Sequence, residues 1–375
     1  MEIQVANRVM NLTNRASDAT THTGFPTQSV SKGFEAMSEL RIDPVWGTRV
    51  VLSTKRSRRP TDFPTQPVAA ASQIRAPNPN CPFCEGNESQ TMPEVLAYRE
   101  PGSPTDGPGW QIRVFPNRYP AVMEENDGPS YGRHEVLIVA PWHVRSFAEL
   151  DHETTTATLR AVCQRLRDLK ANPKTRYVLP FFNVGPDAGA SLQHLHGQIV
   201  SLARVPGTIG RACQALAAYQ KRRGESLWNE WLDHEATEQT RIVRRGRGHL
   251  VLCPPASRTP YETWIIADHP QPFLEETPED HLHDLARSLD QVVRGIDHAL
   301  NRPSYNLVIH TAPVIRSGRG AALIAAFRWH LQIVPRSTRI AGFELGCGWF
   351  INTTAPEEAA RNLRELVVHF ESQST

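Results

Sequence analysis

Long apolar runs are missing from this sequence. No stretch approaches the roughly 20 residues that a bilayer-spanning helix needs, and the opening MEIQVANRVM has no apolar segment behind a basic start. The expectation is a soluble, cytoplasmic chain with no membrane partner. An excess of charge of one sign is missing too: Lys+Arg 41 against Asp+Glu 39 leaves a net +2. That balance offers no basic field for a polyphosphate backbone, so nucleic acid is not an expected partner. Cysteine is sparse, and of the six residues only Cys81 and Cys84 stand at a recognisable spacing. A disulfide framework is therefore not expected, and a metal site is. What the 375 residues do offer is room for two domains or one large duplicated unit.

Residues 1–37, rich in Ser, Thr, Asn and Gln without periodicity, read as a flexible N-terminal tail. From Glu39 the pattern changes. VVL at 50–52 reads as a strand followed by the Arg-rich turn KRSRRP, and QIRVFPNRYPAV (111–122) as a strand entering a proline-punctuated loop. HEVLIVA (134–140) and YVLPFFNVG (177–185) are further strands, with a helix over 153–171 between them. Residues 206–247 are charged with helical periodicity, a helical connector, and after them the first half is replayed.

In that replay HEVLIVAPWHVRSFAEL (134–150) lies over YETWIIADHPQPFLEE (261–276), YVLPFFNVGP over YNLVIHTAP, and HLHGQIV (194–200) over RWHLQIV (328–334). The chain reads as a duplication, with halves at 38–205 and 248–375. His194 becomes Arg328 in the second copy and Gly197 becomes Leu331. A leucine there is expected to hinder close approach of a ligand, so the first copy is the one that keeps the chemistry.

The stretch GASLQHLHGQIV (189–200) carries that chemistry. On a strand, His194, His196 and Gln198 project to one side while Leu195, Gly197 and Ile199 project to the other. Gly189, Ala190 and Ser191 can bend tightly and present backbone N–H groups to phosphate oxygens. A neutral imidazole attacks phosphorus and later leaves, which splits one difficult displacement into two. In this reading His196 is the nucleophile, its other ring nitrogen donating to a backbone carbonyl. Gln198 donates to a phosphoryl oxygen, and Ser191 with the Gly189 backbone cradles developing charge. Arg56 and Arg59 are candidates for binding the diphosphate, with a solvated basic turn as the plain alternative. Cys81-Pro82-Phe83-Cys84 is a two-thiolate grip, and His143 and His194 are the candidates to complete a Cys₂His₂ zinc site. Buried thiols and a surface histidine are the plain alternative.

CPFC, FPNRYPAV, GRHEVLIVAPWH, NVGPDAGASLQHLHGQ and WHLQIVPRSTRIAGFELGCG, in that order, resemble the galactose-1-phosphate uridylyltransferase family of the histidine-triad superfamily. RSRRPTDF, CPFCEGNES and WHLQIVPR are also similar to its ADP-glucose phosphorylase branch. The resemblance implies an α+β fold of two fused histidine-triad-like halves, each an antiparallel sheet with helices packed on it, in a homodimer whose partner subunit helps complete each site. It implies that His196 carries the nucleotide and that Cys81, Cys84, His143 and His194 hold zinc. Asn117 would contact the nucleotide, Asn183, Gly189, Ser191 and Gln198 the phosphates, Arg56 and Arg59 the diphosphate, and Glu344 the sugar hydroxyls. A second metal found in some members is not expected, because Ala212 and Gln332 stand where two of its ligands would be. The implied activity is a nucleotidyltransferase working between a nucleotide sugar and a hexose 1-phosphate. The alternatives are a nucleotide-sugar phosphorylase or hydrolase, and a non-catalytic zinc-containing nucleotide-binding protein.

Overall fold

The computed structural model describes residues 38–58, 75–125, 128–316 and 320–373; the expected tail 1–37 and Arg59 lie outside the described residues. In the first half, the alternating apolar runs form β3 (Leu96–Arg99), β4 (Trp110–Pro116), β5 (His134–Ile138), β6 (Tyr177–Val184) and β7 (His196–Leu202), with helix α1 (His152–Ala171) between β5 and β6. The second half repeats the plan with β8 (Ile242–Gly246), β9 (His249–Leu252), β10 (Thr263–Ala267), α4 (Glu279–Leu300), β11 (Tyr305–His310) and β12 (His330–Pro335). The halves join through β6 and β11 into one ten-stranded sheet, ordered β3-β4-β5-β7-β6-β11-β12-β10-β9-β8. Every neighbouring pair in it is antiparallel. Read from the β6–β11 seam outward, each half lists its strands in the same relative order, so the duplication is visible in the topology.

Helices cover one face of this sheet. The Asp151 carboxylate accepts from Thr154 N at 2.8 Å and caps α1. Leu159, Val162 and Leu166 of α1 and Leu285, Leu289 and Val292 of α4 then pack over Leu137, Phe182, Ile199, Leu307 and Leu331 of the strands. A buried ion pair fixes α1 to β5: Arg165 Nε and Nη2 donate to Glu135 at 2.8 and 2.6 Å. Because alternate strand residues take the helix side, His134, His196, Gln198, His330 and Gln332 all fall on the other face.

Three features differ from the sequence reading. β8 lies inside the expected connector 206–247, which is helical only over α2 (Gly207–Arg223) and α3 (Leu227–Glu238). The hairpin β1 (Glu39–Ile42) and β2 (Arg49–Leu52) was assigned to the first half, yet it pairs in parallel with β13 (Phe350–Asn352) near the C-terminus. Its turn places Trp46 against His310 and His330 of the second half, with ring centroids 5.0 and 5.6 Å apart. Finally, the two copies correspond with a one-residue slip. Ile138 faces His196 and Ile266 faces His330, whereas the aligned text set Ile138 against Ile265. Phe181 and Val308 face the two glutamines, whereas the text set Phe181 against Ile309. These strands carry apolar residues on both faces, so an apolar string carries no phase to fix the comparison.

The remaining helices are α5 (Ala321–Ala325), α6 (Gly342–Cys347) and α7 (Pro356–Gln373). No helix among the described residues is long and apolar enough to cross a membrane. The Glu135–Arg165 pair gives a test of the α1–β5 joint, since Glu135 is 1 % exposed. Arg165→Met alone is expected to cost about 3–5 kcal/mol by stranding that carboxylate, and adding Glu135→Met to recover most of the loss; urea unfolding of both chains checks it.

Candidate functional site

The open face of the first half begins with an apolar floor. Trp110, Phe115, Val136 and Ile138 pack together there with Phe83 of the CPFC loop. That loop is tied down by backbone bonds: Cys81 N donates to Asn78 O at 3.0 Å, Cys84 N to Cys81 O at 3.2 Å, and Glu85 N to Pro141 O at 2.8 Å. Past the end of β5 the chain turns through His143, and Leu195 N donates to Val144 O at 2.6 Å, which sets the entry of β7 beside this turn.

The result is a cluster of Cys81, Cys84, His143 and His194 whose ligand atoms all lie within 4.8 Å of one another. Both thiol sulfurs stand 3.5 Å from His194 Nδ1, and Cys84 Sγ is 3.8 Å from His143 Nδ1. A tetrahedral ion with metal–sulfur bonds of about 2.3 Å and metal–nitrogen bonds of about 2.0–2.1 Å separates its sulfur and nitrogen ligands by about 3.5–3.6 Å, so the donor set fits. His194 Nε2 is 3.1 Å from Ala140 O; a proton shared there leaves Nδ1 bare to bind. Burial pushes the Cys84 thiol up to about 11, helped by neighbouring Cys81, and pulls His194 down to about 3. Without added positive charge such a pocket keeps the thiol protonated and the imidazole neutral; a cation would release the first proton and use the second lone pair.

The carbonyl of the same His194 accepts from His196 Nδ1 at 2.7 Å. His196 is 6 % exposed, and burial holds its basicity below that of an ordinary histidine while this bond opposes the shift. With Nδ1 as the donor, Nε2 is left with its lone pair. Phe83 packs edge-on against the ring at 5.1 Å. Gln198 lies two residues on, on the same face, and His134 Nε2 donates to its Oε1 at 2.7 Å. Ala121 N donates to His134 Nδ1 at 3.1 Å, which puts the His134 proton on Nε2 and turns the Gln198 NH₂ outward. Sequence reasoning gave His134 no role, although it heads the GRHEVLIV strand in phase with Val136 and Ile138, and that phase was the available signal.

Asn117 is also in this group, its Nδ2 3.2 Å from His134 Nε2. Asn183 Oδ1 accepts from Asn306 Nδ2 at 2.8 Å, which leaves its own amide nitrogen toward Gly189. Gly189 has φ +86°, the left-handed backbone that glycine tolerates, and Ser191 follows it in an exposed loop. Arg56 and Glu344 sit on other elements. Arg56 lies exposed on the short turn Thr54–Arg58 after β2. Glu344 caps α6 by accepting from Ala341 N at 2.9 Å and lines a cavity of about 410 Å³ with Phe181, Gln332, Arg336 and Arg339.

The second copy closes its counterpart of the site, and not by the means the sequence suggested. Leu331 faces the helical core, as does Gly197, where a Cβ would come within 2.6 Å of Phe182. What closes the second copy is aromatic: Trp46, Trp228, Trp264 and Phe327 surround His330 with centroids 5.6, 5.4, 5.3 and 5.8 Å away. His330 is fully buried, and its Nε2 has no hydrogen-bond partner among the described residues.

Known proteins share this chain's sequence pattern and fold. The family described as galactose-1-phosphate uridyl transferase, N-terminal domain, matches residues 28–206. A second, described as a domain of unknown function, matches residues 142–374. ADP-glucose phosphorylase of Arabidopsis thaliana is 30% identical over 88% of this chain and 93% of its own length. Galactose-1-phosphate uridylyltransferase of Thermotoga maritima is 25% identical over 88% of this chain and 99% of its own. The crystal structure of the Arabidopsis thaliana ADP-glucose phosphorylase with bound ADP-glucose superposes with a TM-score of 0.74 at 29% identity, covering 88% of this chain and 99% of that one.

The four-ligand cluster predicts that Cys81→Ser loses bound metal and melts well below the parent chain. Elemental analysis beside scanning calorimetry checks both, and full metal content in the variant would remove the cluster from consideration.

Proposed function

The chain belongs to the galactose-1-phosphate uridylyltransferase family, and from that premise we propose that it is a nucleotidyltransferase that carries a nucleoside monophosphate on His196 between a nucleotide sugar and a phosphate-bearing acceptor. The observation that supports this reading is the 2.7 Å bond from His196 Nδ1 to the His194 carbonyl, which leaves Nε2 with the lone pair a nucleophile needs. In the first displacement the Nε2 lone pair forms a P–N bond to the α-phosphorus, and the P–O bond to the sugar 1-phosphate breaks. The imidazole becomes cationic, and its Nδ1–H bond to the carbonyl strengthens with that charge. In the second, an oxygen of the acceptor phosphate attacks, the P–N bond breaks, and neutral His196 returns. Gln198, its carbonyl oxygen engaged by His134, offers N–H to a phosphoryl oxygen, and Asn183 with the Gly189–Ser191 loop offers further donors.

For the acceptor, hexose 1-phosphate is the reading drawn from the uridylyltransferases. The 30% identity to an ADP-glucose phosphorylase favours a second, in which inorganic phosphate takes the nucleotide. Zinc suits the two-thiolate, two-imidazole set, and its part is to hold His194 and thereby the strand that carries His196. We propose one such ion per chain. Around the other candidate position His310 and His330 stack on each other 4.8 Å apart, Ala212 offers no ligand, and Gln332 Oε1 is engaged by Arg258 at 2.9 Å. The chain is proposed to work as a cytoplasmic homodimer, with Arg56 and Glu344 reaching substrate as its halves come together. Exposed Ile340, Phe343 and Leu345 beside Glu344 support that assembly.

Incubation with UDP- and ADP-sugars, followed by intact-mass measurement above neutral pH, is expected to show one added nucleoside monophosphate in the parent chain and none in His196→Ala; no adduct with any donor would end the covalent reading. Supplying hexose 1-phosphate or inorganic phosphate to the labelled chain then separates the two acceptors. His134→Leu, which frees the Gln198 amide to rotate, is expected to lower kcat about 100-fold with little change in KM, as steady-state kinetics on the same substrates would show.

A further inference from the structure

A second cavity lies in the other half of the chain, between α2, α3 and α5. It measures about 580 Å³ and is lined by Gln220, Arg223, Glu225, Ser226, Asn229 and Arg328 among others. None of these residues belongs to the group around His196.

Arg328 is the unusual member. It is 3 % exposed, yet no carboxylate among the described residues lies within 4.0 Å of its guanidinium. Its partners are neutral: Nη1 donates to Ala267 O at 3.1 Å and Nη2 to Asn229 Oδ1. Asp233 and Asp268 act on it only from farther off, and burial lowers its basicity to about 10. A buried charge without a counter-ion is costly, and natural interiors rarely leave one so. Of five N–H groups on a guanidinium, two are used here, so three remain.

The cavity adds what an anion needs. Arg223 stands on its wall, held only loosely by Glu230 at 3.6 Å. Ser226 is the N-cap of the 12-residue α3, and its hydroxyl makes no capping bond; the helix end contributes a partial positive charge. Glu225 is the one acid among the lining residues, against two arginines.

We propose that this cavity is a binding site for a small phosphate-bearing anion, with Arg328 and Arg223 as its principal ligands and the N-terminus of α3 as their support. A phosphate group gives Arg328 its missing counter-charge and accepts its spare donors in fork geometry. The volume lies within the range of small-molecule sites, roughly 300–1,000 Å³, so an organic part the size of a sugar fits beside the phosphate. This site is separate from the one at His196 and does not depend on the reading of that one.

The test uses the full chain, inorganic phosphate as the probe, and chloride to hold ionic strength constant. Phosphate is expected to raise the melting temperature of the parent chain. Isothermal titration should show binding weakened at least about tenfold in Arg223→Ala, for loss of one charge-assisted contact, and one fewer site in Arg328→Met. Phosphate bound at the His196 centre contributes equally to all three chains, so the difference among them reports this cavity. In phosphate-free buffer Arg328→Met is expected to melt no earlier than the parent, because the substitution removes a buried charge that no carboxylate contacts. An earlier melt with no phosphate dependence would make Arg328 a structural bracket between Ala267 and Asn229 and overturn the proposal. Equal phosphate affinity and stoichiometry in the parent and Arg223→Ala would overturn it as well, and that exposed position leaves folding undisturbed if Arg328→Met proves insoluble. Repeating the titration with a sugar phosphate distinguishes a site for the bare anion from one that also holds the organic part.

Discussion

Residue His194 joins the two halves of the site chemistry through one peptide unit. Its ring belongs to the Cys81–Cys84–His143 cluster, and its carbonyl accepts the Nδ1 proton of His196 at 2.7 Å. The position of the ring fixes where the carbonyl points, and the carbonyl fixes which nitrogen of His196 keeps a lone pair. Lashing the CPFC loop to the turn after β5 therefore reaches His196 Nε2 through a single residue. Gln198 is set by a separate bond from His134 on the neighbouring strand. Two adjacent strands in antiparallel register thus position one group each, and the Phe83–Phe115 floor keeps the space between loop and strand filled.

The second half keeps this wiring. Arg328 replaces His194, and its guanidinium donates to Ala267 O at 3.1 Å, the same distance that separates His194 Nε2 from Ala140 O. Its carbonyl accepts from His330 Nδ1 at 3.0 Å, as that of His194 accepts from His196. Arg258 engages Gln332 as His134 engages Gln198. A residue with a fixed positive charge has taken the place of one that joins a cluster suited to a cation. Aromatic rings, including Trp46 from the N-terminal hairpin, fill the space a substrate would need.

How legible this was depends on the length scale. The strand at 134–138, the helix at 152–171 and the duplication stand out in the sequence because each rests on a local pattern. The grouping of Cys81, Cys84, His143 and His194 was readable because two cysteines at that spacing demand further ligands, and few histidines follow a strand end. Less readable was the pairing of β1 and β2 with β13, since parallel contacts between chain ends leave no short-range signal. The one-residue slip between copies was hidden because strands apolar on both faces look alike in either phase. His134 was hidden for another reason: a histidine at the head of a strand acquires meaning only once a partner strand sets Gln198 diagonally opposite.

The closed second copy also bears on why the first needs an open one. His196 and His330 share a tautomer, a strand position and a neighbouring glutamine, so none of these separates them. Access does. His330 is walled by rings on several sides and fully buried, and a phosphoryl group with its charge cannot enter without displacing tryptophans that bury 150–250 Å² each, by order of magnitude. Among the described residues His196 has one aromatic neighbour, Phe83, at its edge, and Gln198 lies two residues along on the same face. The duplicated fold thus provides two equivalent strand positions, and the residues packed over each decide which one can meet a substrate.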